Sequence, residues 1–542
     1  MKDNAQFRSQ LQNRFLLLAV FTGGMTTLGI ELSASRLLGS FFGTSNIVWA
    51  NIIGLILIYL TAGYYLGGRW ADRSPYFTTF YRLIVWAAFC SGLVPLAAHP
   101  ILKTAATAVQ DFDAAVTVGS FVSVLVLFSV PITLLGCISP FSIRLALANV
   151  EEAGSTTGRM YALSTLGSII GNFTPVLILI PQVGTARTFL IFAAVLMVVG
   201  LVGLAMQDRK AALKLLWMPV VLTILATLAL RGPLRPPPSN MTLLHEEETA
   251  YNLVQIVEDE DGYRYLLLNE GQGIHSQWHP TDLFYDRTWG FFLIAPYFNA
   301  PPYTPDRMER VAMIGLAGGT MARQHHVVYP DMPMDGIEID PGIVDAGREY
   351  LGMTMDPLNV IVGDGRFELS RLDYEYNMIG IDAYRVPYVP WHLTTVEFFE
   401  EVSDRLADDG VLVMNVGRTP DDRRLVEGIT RTLLDVFPTI HTLDVPGSYN
   451  TILVATKQPT TSDNLLANTE YLRLHGDDLL TPEGADLLLE ALDLVQTADE
   501  PVIVPTVAGD VRFTDDHAPV EMIVDSMVID YLLGDGINEL AN

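Results

Sequence analysis

Through the first 230 residues, polar positions are sparse and apolar runs continue for a bilayer's thickness at a time. A helix crossing a bilayer needs about 20 apolar residues. Runs of that length fall at residues 15–38, 47–68, 81–100, 115–136, 160–181, 187–206 and 212–230, and the fourth extends toward Val150 through Pro131 and Pro140. Backbone groups in lipid must be satisfied within the segment, so the pattern predicts a bundle of about seven transmembrane α-helices. Glu31, Arg36 and Asn172 interrupt these runs. They are expected to pair with other helices or to sit near the interface.

The pattern changes at Arg231–Ser239, where Pro236, Pro237 and Pro238 form a stiff spacer. Asn252–Val257 and Tyr263–Leu268 bracket the turn-prone Asp259–Gly262 and predict a β-hairpin. Apolar strands then alternate with helical stretches: residues 310–315, 334–340, 359–362, 377–381 and 411–415. A helix is expected over Thr394–Asp408, with Val396, Phe399, Val402 and Leu406 inward. This alternation predicts a doubly wound α/β domain of the Rossmann type, similar to the class I methyltransferases. The expected organisation is a transmembrane domain over 1–238, a β-rich part over 239–300, a nucleoside-binding domain over 301–458 and an extension over 459–542. Within the extension, a loop and a helix over Pro482–Gln496 are expected.

In such sheets ligands bind at the carboxyl ends of the strands. Here the strand ends carry Gly315, Glu338 or Asp340, Asp364 and Asp382. Gly315, Gly318 and Gly319 let backbone approach a ligand closely. The acid at the end of the second strand can accept both hydroxyls of a ribose, and Asp364, beside Gly365, can take an adenine amino group. Asp382 then faces the reacting end. Each feature has a structural alternative, since a strand-end Asp is often a helix cap. Four in order, about 20 residues apart, favour a nucleoside site.

Charge divides the chain as hydropathy does. The net charge is -28. Residues 1–238 hold 16 Lys and Arg against 8 Asp and Glu, leaving 17 and 53 for the remainder. So acidic a second half argues against nucleic acid, whose phosphates need cations. Only five lysines are present, and the composition suggests an acidic, halophile-type proteome. Cys90 and Cys137 both lie in apolar runs and build neither a disulfide framework nor a cysteine zinc site. The basic N-terminus with Lys2, Arg8 and Arg14 reads as a retained first helix.

The residues 248–416 resemble the spermidine synthase family, in particular its bacterial and archaeal members fused to a membrane region. The likeness is carried by Glu248–Ile256, by Leu268–Gln277, by Gly363-Asp364-Gly365-Arg366, and by Asp382-Ala383-Tyr384 with Pro390-Trp391-His392-Leu393. It continues in Thr514–Glu521. The resemblance implies binding of decarboxylated S-adenosylmethionine, or of S-adenosylmethionine, as a substrate, with no metal. It implies aminopropyl transfer to an amine. Gly315, Gly318, Gly319, Glu338, Asp364 and Gly365 would bind the nucleoside, and Asp382 would be catalytic. His275, Gln277, Tyr384 and Asp516 would line the acceptor side. Two departures bear on the chemistry. Thr320 stands where the family has the Asp of Gly-Gly-Gly-Asp, and Arg385 where it has the second acid of Asp-x-x-Asp. An S-adenosylmethionine-dependent methyltransferase is therefore a second expectation.

A third is a non-catalytic transporter or sensor. Gly67-Gly68-Arg69-Trp70-Ala71-Asp72-Arg73 is similar, in worn form, to a loop of the major facilitator transporters. The expected partners are the lipid bilayer, a small-molecule amine and, as a homo-oligomer, a second copy of the chain. Basic residues concentrate on the N-terminal side of the spans, which puts the N-terminus in the cytoplasm. Seven crossings then put the acidic half outside, which conflicts with a cytoplasmic S-adenosyl cofactor.

Overall fold

The computed structural model describes residues 2–42, 46–108, 115–147, 153–233, 235–238, 240–269, 273–285, 287–384, 389–498 and 500–533. Arg385 and the segment 270–272 of the quoted motifs lie outside the described residues. The chain forms two compact units, Met1–Pro236 with Glu248–Asn252, and Pro237–Glu247 with Leu253–Asn542.

The first unit is helical: Lys2–Phe42, Asn46–Arg73, Phe77–Ala108, Ala115–Gly136, Ile138–Ala146, Ala153–Thr174, Thr185–Gln207, Arg209–Leu215 and Trp217–Ala229. A π-helical turn, Pro175–Leu179, extends the helix beginning at Ala153 toward Val183. Among the described residues, seven stretches are long and apolar enough to cross a bilayer. The fourth is continuous, because Cys137 keeps helical backbone angles of φ -66 and ψ -21. Ile138–Ala146 thus follows Gly136 without a loop in which to double back. Arg144 at its end meets Asp72, near the end of the second helix, at 3.2 Å. Gly167 and Gly171 lie so close to the first helix that a Cβ on either would stand 2.0 Å from the carbonyl oxygen of Phe21 or Met25. Small residues permit that backbone approach. Arg36 donates to the carbonyls of Tyr251 at 2.9 Å and Thr249 at 2.6 Å. Glu248 accepts from the Thr185 backbone N–H at 2.8 Å.

The second unit contains two sheets. The strands β1 (Thr242–Glu248), β2 (Leu253–Glu258), β3 (Arg264–Leu268) and β4 (Ile274–Trp278) form an antiparallel meander, within which the expected hairpin is β2–β3. Eight more strands follow: β5 (Val311–Ile314), β6 (Met334–Glu338), β7 (Leu358–Val362), β8 (Tyr376–Ile381), β9 (Leu406–Gly417), β10 (Thr439–Asp444), β11 (Asn450–Thr456) and β12 (Ile503–Val504). Their order is β12-β10-β11-β9-β8-β5-β6-β7. The pairs β6–β7, β5–β6, β5–β8 and β8–β9 are parallel. β11 runs antiparallel between β9 and β10. This is the Rossmann-like methyltransferase arrangement. The chain leaves β5 toward β6 and β7, then returns on the other side through β8, so the switch point lies between β5 and β8.

Two expectations are corrected. The helix preceding β9 is Val396–Arg405, and Leu406 turns extended at φ -83, ψ 139 to begin the strand. The extension carries a helix, Ser462–Leu479, where a loop was expected, before Pro482–Thr497.

At the amino ends of the parallel strands, buried Asp335 ties the sheet together. It accepts from Arg310 Nε at 2.9 Å, Asn359 Nδ2 at 2.8 Å and the Tyr376 hydroxyl at 3.0 Å. Asp335→Ala strands three donors and breaks a buried pair, which costs about 3–5 kcal/mol. A large drop in the apparent melting temperature of the solubilised protein is expected, and an unchanged one would refute this role.

Candidate active site

The turn after β5 is shaped by two left-handed glycines, Gly315 at φ 86 and Gly319 at φ 84. A Cβ on Gly315 would stand 2.5 Å from the Asp382 carbonyl oxygen, so glycine there lets the ends of β5 and β8 close on each other. Five successive turn amides have acceptors. Those of Gly315 and Leu316 donate to the Ile337 carbonyl, Ala317 to Glu338 Oε2 at 2.9 Å, Gly318 to Ser276 Oγ at 2.8 Å, and Gly319 to the Leu316 carbonyl. The turn is thus not a cradle of free N–H groups for phosphate. It suits a ligand whose contacts near the turn are made by hydroxyls and an uncharged ring.

Glu338 ends β6. Its two oxygens accept from Ala317 N and, at 3.0 Å, Asp340 N, and the Ile339 backbone N–H also bonds to the carboxylate. Burial pushes its carboxyl up to about 7, although the backbone donors pull the other way. Beyond it, Ile339 and Val362 are 40% and 49% exposed at the ends of β6 and β7. They offer apolar surface that a flat ring can cover. Asp364 serves the helix Gly365–Arg371 as its cap, Oδ1 accepting from Phe367 N at 3.0 Å, while Oδ2 faces His392 Nε2 at 3.0 Å. Both oxygens already have protein partners, so the structural role anticipated for a strand-end Asp is present alongside any ligand role. Gly365 packs so tightly that a Cβ would meet Ile314 Cγ2 at 2.3 Å.

Asp382 follows β8 at the switch point. Asn415 Nδ2 donates to its Oδ1 at 2.9 Å, and the Trp289 indole also donates. Burial pushes the carboxyl up to about 6, and these two donors hold it down. Such a group is ionised at neutral pH yet basic enough to take a proton. Tyr384 is held well above the usual phenol range by burial and by Asp382, and so stays neutral.

On the meander side, β4 is fastened to the turn. Thr320 Oγ1 donates to the Gln277 carbonyl and accepts from Gln277 N, both at 2.9 Å. Thr320 therefore brings no negative charge. The Gln277 Oε1 and His275 Nε2 atoms are buried without a hydrogen-bond partner, and burial lowers His275 to about 4, leaving it neutral. Asp516 sits exposed at the tip of the turn closed by Thr514 and His517. Its neighbour Asp515 is the engaged acid, held by both Arg366 nitrogens at 2.7 and 2.9 Å and by Thr395 at 2.7 Å. Asn415, Trp289, Ser276 and Asp515 were not singled out by sequence. Asn415 carried a signal as the polar end of an apolar strand, and Ser276 and Asp515 lay within the quoted segments Leu268–Gln277 and Thr514–Glu521.

Residues 299–462 match the family model of the spermine/spermidine synthase domain. A protein of Bifidobacterium longum named a probable polyamine aminopropyl transferase is 29% identical over 310 residues, 54% of this chain and 64% of the relative. The present chain thus spans just under two thirds of that relative's length. A polyamine aminopropyltransferase of Vibrio vulnificus is 28% identical over 42% of this chain and 75% of its own. Among solved structures, a probable spermidine synthase of Corynebacterium glutamicum is 21% identical, covering 44% of this chain and 88% of its own with a TM-score of 0.37. Within the C-terminal half, residues 299–462 are thus similar to the spermine/spermidine synthase domain.

Proposed function

We propose that this spermidine synthase-family chain is a membrane-anchored transferase that binds an S-adenosyl-type nucleoside and moves its aminopropyl group to an amine. The observation that carries the reading is the order Glu338, Asp364, Asp382 along the carboxyl edge of β6, β7 and β8. The hydroxyls of the ribose would meet Glu338, the purine Asp364 and the apolar Ile339 and Val362. The sulfonium would lie against Asp382. Asp382 takes a proton from the acceptor amine. The amine nitrogen then bonds to the carbon next to sulfur, the C–S bond breaks, and its electron pair stays on sulfur to leave neutral methylthioadenosine. A carboxylate also favours the cationic sulfonium electrostatically.

Thr320 supports a second reading, transfer from intact S-adenosylmethionine. A neutral hydroxyl already bonded to Gln277 offers no anion to the aminopropyl ammonium and does not repel the carboxylate that only the intact compound carries. Equilibrium binding of the two compounds to the purified full chain separates the readings. Tighter binding of the decarboxylated form is expected, and preference for the intact form would transfer the assignment to the second reading.

The seven apolar stretches support a membrane anchor with the N-terminus in the cytoplasm by its basic flanks. An odd number of crossings gives the second unit an outside location, which separates it from cytoplasmic S-adenosyl compounds and favours altered chemistry or ligand binding over ordinary spermidine synthesis. Reporter fusions after Asp208 and after Asn542 are expected to report inside and outside respectively, and an inside signal at Asn542 would contradict that topology.

A further inference from the structure

We propose that Asn450 and Ser448, on the turn between β10 and β11, are positioning residues for Asp382, because they lock the amide of Asn415 with its NH2 toward the carboxylate. The inference rests on the reading that Asp382 faces the sulfonium. An asparagine side chain can present oxygen or nitrogen by a half rotation, and only its partners decide which. Here the partners form one chain of three hydrogen bonds. Ser448 Oγ donates to Asn450 Oδ1 at 2.7 Å, Asn450 Nδ2 donates to Asn415 Oδ1 at 2.8 Å, and Asn415 Nδ2 donates to Asp382 Oδ1 at 2.9 Å.

The sense of this chain is set at the carboxylate. At the far end Ser448 Oγ accepts from the Asn450 backbone N–H at 3.2 Å and keeps its own hydrogen for Asn450 Oδ1. At the near end an ionised carboxylate can only accept. Every bond between is then forced, and reversing the Asn415 amide would turn its oxygen on Asp382. The topology supplies the geometry, since antiparallel β11 places Asn450 opposite Gly417, two residues beyond Asn415 on β9. The other groups around Asp382 are the Trp289 indole from the helix Thr288–Ile294, Tyr384 on its own strand end, and backbone of the Gly315 turn. None of these fixes the Asn415 amide.

The test compares binding of cationic decarboxylated S-adenosylmethionine with that of neutral methylthioadenosine to the full chain between about pH 5 and 8. The two nucleosides share a purine and ribose and differ in the sulfonium and the ammonium-bearing propyl chain, so the Asp382→Asn comparison assigns the pH-dependent part of their affinity ratio to the charge at Asp382. The ratio is expected to favour the cation increasingly as Asp382 ionises, with a midpoint. Asn450→Leu is expected to move that midpoint up by about half to one pH unit, the scale of a lost hydrogen bond to a charged group. Ser448→Ala should move it less in the same direction, and it decides the matter should Asn450→Leu not fold. A general loss of packing would weaken both nucleosides and leave the midpoint in place. Asp382→Asn must abolish the pH dependence. If it does not, or if neither nucleoside binds, the reading of Asp382 at the sulfonium fails and takes the inference with it. If it does, and the Asn450 and Ser448 variants keep the wild-type midpoint, the positioning role alone is overturned.

Discussion

Asp382→Asn is expected to lower turnover by about 10²–10⁴-fold, the usual contribution of a positioned general base, with nucleoside affinity changed far less. The amide is isosteric and can still meet Asn415 and Trp289, so the fold at the end of β8 should persist. It can neither take the amine's proton nor offset the sulfonium charge. Because burial pushes Asp382 up to about 6, wild-type turnover should fall as pH drops through about 6, when the carboxylate takes up a proton and stops acting as a base. The variant should lack that limb. Rates and binding measured on the same solubilised preparation separate the effects, and a variant with the wild-type rate would remove Asp382 from the chemistry.

Glu338→Gln should weaken nucleoside binding at least tenfold, about 1.4 kcal/mol, with the fold retained. Glutamine can keep one backbone donor satisfied, but it offers one acceptor oxygen where the carboxylate offers two. Glu338 is only 7% exposed and sits at about 7, against an ordinary 4.5. The ionised form is the better acceptor for hydroxyls, so wild-type affinity should rise as pH climbs through about 7. The sign for folding is opposite. A raised carboxyl favours the folded state fully below about 4.5, and that contribution is lost as pH rises toward 7. The difference in melting temperature between wild type and Glu338→Gln should therefore change across this window. Isothermal titration at two pH values tests the binding claim, and equal affinities for both proteins would contradict it.

Much of this was legible in the sequence, for a physical reason. The strands β5, β6 and β8 are buried on both faces and read as largely apolar runs, the edge strand β7 keeps its apolar residues although it is only partly buried, and the glycines and acids at their ends mark where they stop. The later strands were harder. Thr439–Asp444 mixes His441 and two threonines among its apolar residues, and its pairing with β11 depends on contacts distant in sequence. The helix Ser462–Leu479 escaped because part of its buried face is polar. Asn468 is fully buried, donating to the Tyr297 and Asn299 carbonyls at 2.7 and 2.9 Å and accepting from Tyr303 N at 2.8 Å. No hydrophobic period announces such a residue. At the site, sequence order located Glu338 and Asp382 on their strand ends. It could not tell Asp515 from Asp516, because the tight turn between Thr514 and His517 decides which acid meets Arg366. Nor could it find the partners of Asp382 on Trp289 and Asn415, which lie 93 residues upstream and 33 downstream.

The most direct test of aminopropyl transfer is the release of methylthioadenosine from decarboxylated S-adenosylmethionine by the purified full-length protein, with and without a diamine. The predicted result is release that requires the diamine, matches it mole for mole with aminopropylated product, and collapses in Asp382→Asn while the nucleoside still binds. Failure to release methylthioadenosine with any amine, from a protein that binds the nucleoside, would contradict the assignment.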